Sequence, residues 1–171
     1  MTDFTNWEQK ARLLRKLCLT STTEAQSGHP TSCLSAVDAM TVLFDSFFRY
    51  DLSNPLNSAN DRLIFSKGHA SPLFYALYAM AGGLPIDELN TLRKFGSRLE
   101  GHLTPAFPYT DAATGSLGQG LSVGAGLALA IQKTTNYQLP TTNYPKVYVL
   151  LGDGELAEGQ NWEAANFASY Y

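Results

Sequence analysis

The chain has 171 residues, of which 44% are hydrophobic and 16% are charged, and its formal net charge is -3. Such a composition is typical of a globular protein, and the length suffices for one domain with a sizeable core. Lys and Arg are not gathered into runs, which argues against a nucleic-acid surface, and charges or glycines interrupt each apolar run before it reaches membrane-spanning length.

The first predicted element is an amphipathic helix over residues 6–23. Its apolar side carries Trp7, Ala11, Leu14, Cys18 and Leu19, and its basic residues form a solvated face. The N-terminus MTDFTNWEQK lacks the profile of a signal peptide, so a cytoplasmic protein without membrane attachment is expected. In that compartment, Cys18 and Cys33 are expected to be buried free thiols.

A corner follows at Gly28-His29-Pro30, where glycine and proline break the helical pattern. Thr31 or Ser32 is predicted to cap a second, largely buried helix over residues 33–48. His29 is therefore predicted to lie at a corner where its side chain can face a cleft. The simpler interpretation is a corner histidine that makes only local hydrogen bonds.

Beyond a polar loop over residues 51–60, the pattern predicts a strand over residues 62–65 and a turn over residues 66–69. A helix over residues 71–81 comes next. Lys67 and His69 then lie just past the carboxyl end of a strand, where a cation and an imidazole suit an anionic ligand. An ordinary polar turn is the alternative.

Residues 97–114 show no regular pattern and contain His102, and such long segments are commonly functional. The next segment opens a helix with glycines, which let a ligand or neighbouring backbone approach closely. Tight helix packing is the expected role of Gly124 and Gly126. Residues 136–145 are predicted to be an exposed connection.

The last predicted strand covers residues 146–151 and is followed by Gly152-Asp153-Gly154 and a helix-like segment. In an open α/β sheet, ligands bind beyond the carboxyl ends of the strands. A carboxylate there suits a divalent cation that accompanies a diphosphate, although a solvated Asp in a tight turn is the alternative. Three glycine-flanked histidines converging on this crevice would suit a polyhydroxylated substrate.

Five segments, in this order, carry a family resemblance: SGHPTSCLSAVD, NDRLIFSKGHASP, LEGH, TGSLGQGLS and LLGDGELAEGQNWEA. Together they resemble the N-terminal, diphosphate-binding part of a transketolase of the animal-type or split-subunit branch, from about residue 11 to residue 171. The resemblance implies an α/β fold with a mostly parallel sheet and helices on both faces. It also implies that residues 1–171 form one thiamine diphosphate-binding domain, which is incomplete at the C-terminus.

By this resemblance, the cofactors are thiamine diphosphate and Mg²⁺ or Ca²⁺. Asp153 resembles the metal ligand and Gly154 a diphosphate contact, while Ser32 and His69 resemble cofactor contacts. Gly115, Ser116 and Leu117 resemble the segment against the aminopyrimidine. His29, His69 and His102 resemble the catalytic histidines, and His29 and His102 among them resemble substrate-binding residues. Glu158 and Glu163 resemble carboxylates at the interface between subunits. Lys67 is expected near the site.

The implied activity is transfer of a two-carbon glycolaldehyde unit from a ketose phosphate to an aldose phosphate, a transferase reaction of the pentose phosphate pathway. It requires a second, pyrimidine-binding domain or subunit, and the expected partner is a second copy of the chain or a C-terminal transketolase subunit. A second metal ligand and an activating glutamate are expected outside this sequence. One departure from the family pattern is Leu103, which follows His102 where proline is common.

The sequence leaves one alternative to a transketolase open, a related synthase, and argues against two others. A deoxyxylulose-phosphate synthase or a dihydroxyacetone synthase shares parts of the layout. GQGLSVGAG lacks the GxGxxG spacing and the preceding strand of a dehydrogenase loop. A non-catalytic assembly subunit is disfavoured by the three histidines and Asp153.

Overall fold

The computed structural model describes residues 3–134 and 144–171. These ranges contain six α-helices and two β-strands: α1 Asp3–Glu24, α2 Pro30–Leu34, α3 Val37–Ser46, β1 Arg62–Phe65, α4 Ser71–Met80, α5 Gly120–Thr134, β2 Val147–Leu150 and α6 Gly159–Tyr170. Short 3₁₀ segments cover Gly68–Ala70, Ile86–Thr91 and Gly154–Ala157. Most of the connection predicted over residues 136–145 lies outside the described residues.

The chain forms two compact units, and it crosses from one to the other more than once. The first unit comprises the residues up to Phe48 and His69–Phe107, and the second comprises Arg49–Gly68 and the residues from Pro108 onward. The prediction that residues 1–171 form a single domain remains a prediction.

The first unit is built around α4, whose residues from Ser71 to Ala79 are all buried. A helix that is apolar on all sides is stable only when other elements cover it, and α1, α2, α3 and the 3₁₀ segment Ile86–Thr91 pack against it. The rings of Phe74, Tyr75 and Tyr78 meet Phe107, with centroid distances of 6.1, 5.0 and 5.9 Å. Burial of each large side chain contributes about 1.5–3 kcal/mol.

Helix α1 confirms the predicted amphipathic helix and extends it by a few residues. Ala11, Leu14 and Cys18 are buried as expected, but the inclusion of Leu19 on the apolar side was wrong, because its side chain is 45% exposed. Leu17 is buried in its place. The basic residues Lys10 and Arg15 form ion pairs with Asp45 and Asp38.

The single helix predicted over residues 33–48 is wrong, because two short helices, α2 and α3, occupy this region. At the break, the Ala36 N–H donates to Cys33 O at 3.2 Å, and the Ser35 hydroxyl donates to Ser32 O at 3.0 Å. A serine that bonds the preceding turn competes with the helical pattern. The predicted caps were also wrong: α2 starts at Pro30, whose ring suits a first helical position and leaves His29 as the N-cap.

In the second unit, β1 and β2 form a two-stranded parallel sheet that pairs Arg62 with Val147 and Phe65 with Leu150. Helix α5 packs on both strands and α6 packs on α5. The α/β class with a parallel sheet is thus confirmed. A Cβ on Gly124 would lie 2.4 Å from Val149 Cγ2, so the predicted packing role of this glycine is confirmed. The same prediction for Gly126 was wrong, since no neighbouring atom lies within 4 Å of a Cβ built there.

The buried carboxylate of Asp61 fastens the amino ends of both strands. It accepts hydrogen bonds from the Lys146 N–H at 2.7 Å, the Arg49 N–H at 2.8 Å and Arg49 Nη2 at 3.2 Å. Because Asp61 precedes β1 and Lys146 precedes β2, this carboxylate sets the register in which the two strands begin.

No helix in the described ranges is both long enough and apolar enough to cross a membrane. Cys18 and Cys33 are buried thiols that form no disulfide bond, which confirms the expected state of both.

Candidate functional site

Two of the three histidines come together in the first unit. The rings of His29 and His69 lie with their centroids 5.3 Å apart in an edge-on arrangement. A hydrogen bond of 2.6 Å joins Ser32 Oγ to His69 Nε2, and the imidazole tautomer decides which atom donates. His29 is exposed and His69 is half-buried, so a ligand can reach this pair. Two adjacent imidazoles can donate and accept hydrogen bonds near neutral pH.

The corner that precedes α2 fixes the backbone position of His29. Gly28 has φ +131, a backbone conformation that residues with a side chain rarely adopt, and a Cβ added there would lie 2.8 Å from Thr22 Cγ2. Both the backbone conformation and the lack of room therefore disfavour a larger residue. Thr22 is itself fixed by its hydroxyl, which donates to Cys18 O at 2.8 Å. The corner is therefore held against the last turns of α1, and Ser32 follows on α2 to meet His69.

His102 is exposed and lies in a loop that side chains of α4 anchor. The Ser71 hydroxyl donates to Gly101 O at 2.8 Å, and the Tyr75 hydroxyl donates to Glu100 O at 3.0 Å. Burial raises the pKa of Tyr75 above its ordinary value, so the phenol keeps the proton that it donates. Leu103, the departure from the family pattern, is buried. The His102 loop is thus tied to the first turns of the helix that His69 precedes.

In the second unit, the candidate metal ligand follows β2. Asp153 is exposed, and the backbone beside it is open, because a Cβ on Gly154 would meet no atom within 4 Å. A carboxylate next to a side-chain-free backbone fits a hard cation and a diphosphate. Across the part of the chain that is described, no three His, Cys, Asp or Glu side chains gather into a metal-binding group.

The segment Gly115–Leu117 is held against the carboxyl end of β1. A Cβ on Gly68 would lie 2.6 Å from Thr114 Oγ1 and 2.9 Å from Gly115 N, and one on Gly120 would lie 2.4 Å from Ser66 Oγ. A hollow of about 240 Å³ borders this segment, lined by Ala113, Thr114, Ser116, Gln119, Gly120 and Val123. Thr114 Oγ1 is buried and bonds no atom of the described residues. A polar ligand in this hollow would satisfy it.

Lys67 is buried, and a Cβ on Gly152 would lie 3.7 Å from Lys67 Cβ. The residues that follow β1 and β2 are therefore direct neighbours at this edge of the sheet.

The two candidate interface carboxylates are exposed. Glu158 directly precedes α6, and Glu163 lies in the second turn of that helix. A Cβ on Gly118, which has φ +86, would lie 2.8 Å from Glu158 Cβ.

Sequence reasoning missed Glu155, whose side chain is only 2% exposed. Its Oε1 accepts hydrogen bonds from the Ser66 hydroxyl and, at 2.9 Å, from the Gly118 N–H, and its Oε2 accepts one from the Gly152 N–H at 2.9 Å. One signal was available in the sequence: an acidic residue only two positions after Asp153, in a segment that resembles a cofactor site. Its burial could not be read from the residues around it.

The comparisons with known proteins bear on the family and the fold. Residues 7–171 match the model of a family described as "Transketolase, thiamine diphosphate binding domain". A transketolase from Pongo abelii is 52% identical over 161 residues, which are 94% of this chain and 25% of that protein. A 6-deoxy-6-sulfo-D-fructose transketolase subunit from Clostridium sp. (strain MSTE9) is 40% identical over 162 residues, 94% of this chain and 56% of that protein.

Among solved structures, a transketolase from Leishmania mexicana superimposes with a TM-score of 0.86 at 34% identity. The match covers 94% of this chain and 25% of that one. The chain thus spans about a quarter of the length of the transketolases that it matches, and a little more than half of the Clostridium subunit.

Proposed function

Because this chain belongs to the transketolase family, whose thiamine diphosphate binding domain it matches over residues 7–171, we propose that it forms the diphosphate-binding part of a thiamine diphosphate-dependent transketolase. The enzyme transfers a two-carbon glycolaldehyde unit from a ketose phosphate to an aldose phosphate. The observation that carries the proposal is the cluster of His29, His69 and Ser32, which brings two distant segments together. Ser32 hydrogen-bonds His69, and the His29 ring lies edge-on against the His69 ring.

In this proposal, Asp153 is a ligand of the Mg²⁺ or Ca²⁺ ion and Gly154 contacts the diphosphate. The exposed carboxylate and the open backbone beside it suit a cation and an anionic group. Gly115, Ser116 and Leu117 contact the aminopyrimidine, which the adjoining hollow and the unsatisfied Thr114 hydroxyl support. Ser32 and His69 are further cofactor contacts. When bound, thiamine diphosphate supplies a nucleophilic thiazolium carbon that can also hold an electron pair.

The chain's own contribution to the chemistry is to hold substrate and to move protons. His29, His69 and His102 hydrogen-bond the carbonyl and hydroxyl oxygens of the sugar, and His29 also takes up and returns a proton. Imidazoles suit these tasks because small changes in their surroundings move them between donor and acceptor states near neutral pH. The anchored loop of His102 and the fixed corner of His29 support preorganised contacts, since the backbone of neither segment has to be ordered when substrate arrives.

The complete active site needs more polypeptide than residues 1–171. The second metal ligand and the glutamate that activates the aminopyrimidine come from a further part of the protein or from a partner subunit, as the length of the matched transketolases supports. The assembly is a homodimer or a complex with a C-terminal transketolase subunit. Glu158 and Glu163 lie at the interface between subunits, and the enzyme works in the cytoplasm, in the pentose phosphate pathway.

Product analysis of the assembled enzyme with xylulose phosphate and ribose phosphate tests the reaction type. Two-carbon transfer is expected. Formation of deoxyxylulose phosphate or dihydroxyacetone would instead indicate one of the related synthases.

In the same assay, His29→Ala is expected to lower kcat/KM about a hundredfold to a thousandfold, because a preorganised donor is lost. His29→Asn, which keeps a hydrogen-bonding amide but cannot take up a proton, should recover substrate affinity without recovering kcat.

Calorimetry tests the metal site. Asp153→Ala in the assembled enzyme is expected to abolish Mg²⁺-dependent binding of thiamine diphosphate. The variant lacks the carboxylate that would hold the cation, and it is the cation that offsets the charge of the diphosphate. Asp87→Ala removes an exposed acid in the first unit and serves as the control. Equal cofactor affinity in the two variants would contradict the role proposed for Asp153.

A further inference from the structure

We propose that Glu155 is a positioning residue that fixes the metal-binding turn at Gly152-Asp153 to the aminopyrimidine segment at Gly115–Leu117. This inference rests on the proposed function and deepens it, since it names the residue that holds the two parts of the cofactor site in register. Glu155 does not contact the cofactor. It acts through the backbone groups that it binds.

One carboxylate gathers donors from three separate segments of the second unit. The Ser66 hydroxyl belongs to the residue after β1, and the Gly118 N–H belongs to the glycine-rich segment before α5. The Gly152 N–H belongs to the second residue after β2. Both backbone donors lie 2.9 Å from their acceptor oxygens. Each of them sits next to a candidate cofactor residue, Leu117 in one segment and Asp153 in the other.

The pattern of donors requires a carboxylate. Oε1 accepts two hydrogen bonds and Oε2 accepts one, so both oxygens must be acceptors. A glutamine offers one oxygen and one NH₂ group, and in either orientation the NH₂ group would face a backbone N–H, of Gly152 or of Gly118. Neither N–H can accept a hydrogen bond. The substitution Glu155→Gln must therefore release one of the two segments, although it changes the side chain's size very little.

The surroundings of Glu155 fix its position. Asn161 Nδ2 donates to the Glu155 carbonyl at 2.6 Å, which ties its backbone to α6. The Gly120 N–H donates to Ser66 Oγ at 3.2 Å, which extends the network to the first turn of α5. Because the side chain is 2% exposed, water cannot replace the lost partner, and a buried group left unpaired is costly. Displacements of about 1 Å at a reacting site typically lower rates about a hundredfold.

Asp61 offers a matched control within the same unit. It is also a buried carboxylate that accepts two backbone N–H groups, but it fastens the amino ends of β1 and β2, whereas the cofactor residues follow their carboxyl ends. Asp61→Asn creates the same donor conflict and should destabilise the fold in a similar way. It should leave the affinity for thiamine diphosphate unchanged.

The test compares wild type, Glu155→Gln and Asp61→Asn in the assembled enzyme by two measurements. Calorimetry with thiamine diphosphate and Mg²⁺ should give a Kd that is raised about tenfold or more in Glu155→Gln and is unchanged in Asp61→Asn. Thermal unfolding should show a lower Tm in both variants. Without cofactor, amide hydrogen exchange should be faster over residues 115–120 or at Gly152 in Glu155→Gln alone.

Ser66→Ala is the milder variant to use if Glu155→Gln does not fold. It removes one of the three donors and should raise the same Kd by a smaller factor. A wild-type Kd in either folded Glu155→Gln or Ser66→Ala, or an equal rise in Asp61→Asn, would overturn the positioning role while the proposed function stands. If the wild-type enzyme itself does not bind thiamine diphosphate, both the proposed function and this inference fall.

Discussion

Gly68 shows how a single missing side chain shapes the second unit. A methyl group there would lie 2.6 Å from Thr114 Oγ1 and 2.9 Å from Gly115 N, closer than atoms tolerate, and one of these contacts is backbone. The segment that carries the proposed aminopyrimidine contacts can rest against the end of β1 only because residue 68 has no Cβ.

Gly68→Ala is therefore expected to destabilise the protein by about 1–3 kcal/mol, as overpacking typically does, and to weaken thiamine diphosphate binding. Denaturant unfolding and calorimetry measure the two effects. Gly159→Ala is the control, because a Cβ there meets nothing within 4 Å, and it should change neither quantity appreciably. A Gly68→Ala variant of wild-type stability would show that the Thr114–Gly115 segment moves at little cost.

The two cysteines lead to a second prediction at this scale. A hydrogen bond with Cys33 and then burial raise the pKa of the Cys18 thiol, and both side chains are fully buried. Since the thiolate is the reactive form, neither thiol should react with a maleimide or a disulfide reagent in the native protein at pH 7. Both should react once the chain is denatured. Rapid labelling of native protein at Cys18 would contradict this packing.

Individual site residues differed in how far they could be predicted. Asp153 could be placed because it lies just past the carboxyl end of a recognisable strand, between two glycines. The pairing of His29 with His69 could not be deduced from the residues alone, because it depends on how α2 packs against α4. Glu155 could not be found at all, since an acid in a helix-like segment is usually solvated, and its donors Ser66 and Gly118 are 89 and 37 residues away.

At the scale of elements, α5 and β2 depend on one close approach between a helix and a strand. A methyl group on Gly124 would meet Val149 Cγ2 at 2.4 Å, whereas one on Gly126, in the same helix, would point into open space. The two glycines therefore give opposite expectations for the same substitution.

Gly126→Ala should raise the free energy of unfolding by about 0.5–1 kcal/mol, because alanine loses less conformational freedom than glycine in a helix. Gly124→Ala should lower it by about 1–3 kcal/mol, since α5 must move away from the sheet. Adding Val149→Ala to Gly124→Ala should recover part of that loss, and chemical denaturation measures all three variants. Equal effects of the two single substitutions would rule out this packing.

The strands were easier to predict than the helices. β1 has the predicted bounds, residues 62–65, because a short apolar run between polar loops leaves few alternatives. β2 has the predicted location but is one residue shorter at each end. The predicted helix over residues 33–48 failed because periodicity spans the Ser35–Ala36 break, and the competing hydrogen bond of Ser35 leaves no trace in an apolar pattern.

At the scale of the whole molecule, the division into two compact units follows no shift in composition. The chain leaves the first unit after Phe48, returns at His69 and leaves again after Phe107, and apolar and glycine-rich segments occur in both units. What could be predicted was the class, a parallel sheet with helices. The two-unit arrangement depends on long-range packing that local patterns do not encode.

Purified residues 1–171 alone are expected to have negligible transketolase activity. The chain spans about a quarter of the matched transketolases, and the proposed second metal ligand and activating glutamate lie outside it. Adding the remainder of the enzyme or its partner subunit should restore turnover in a coupled assay. Robust turnover by the purified segment alone would refute the proposed division of the active site.

The parallel pairing of β1 with β2 also has a consequence for how the protein is made. Arg62 pairs with Val147, so the strand that leaves the ribosome first has no neighbour until some eighty further residues, including all of His69–Phe107, have been translated. Sheets closed by such distant segments form slowly, because a long loop must be closed before any contact compensates for its entropy. During that interval Leu63, Ile64 and Phe65, all buried in the finished protein, are exposed on the nascent chain, where holdase chaperones would recognise them.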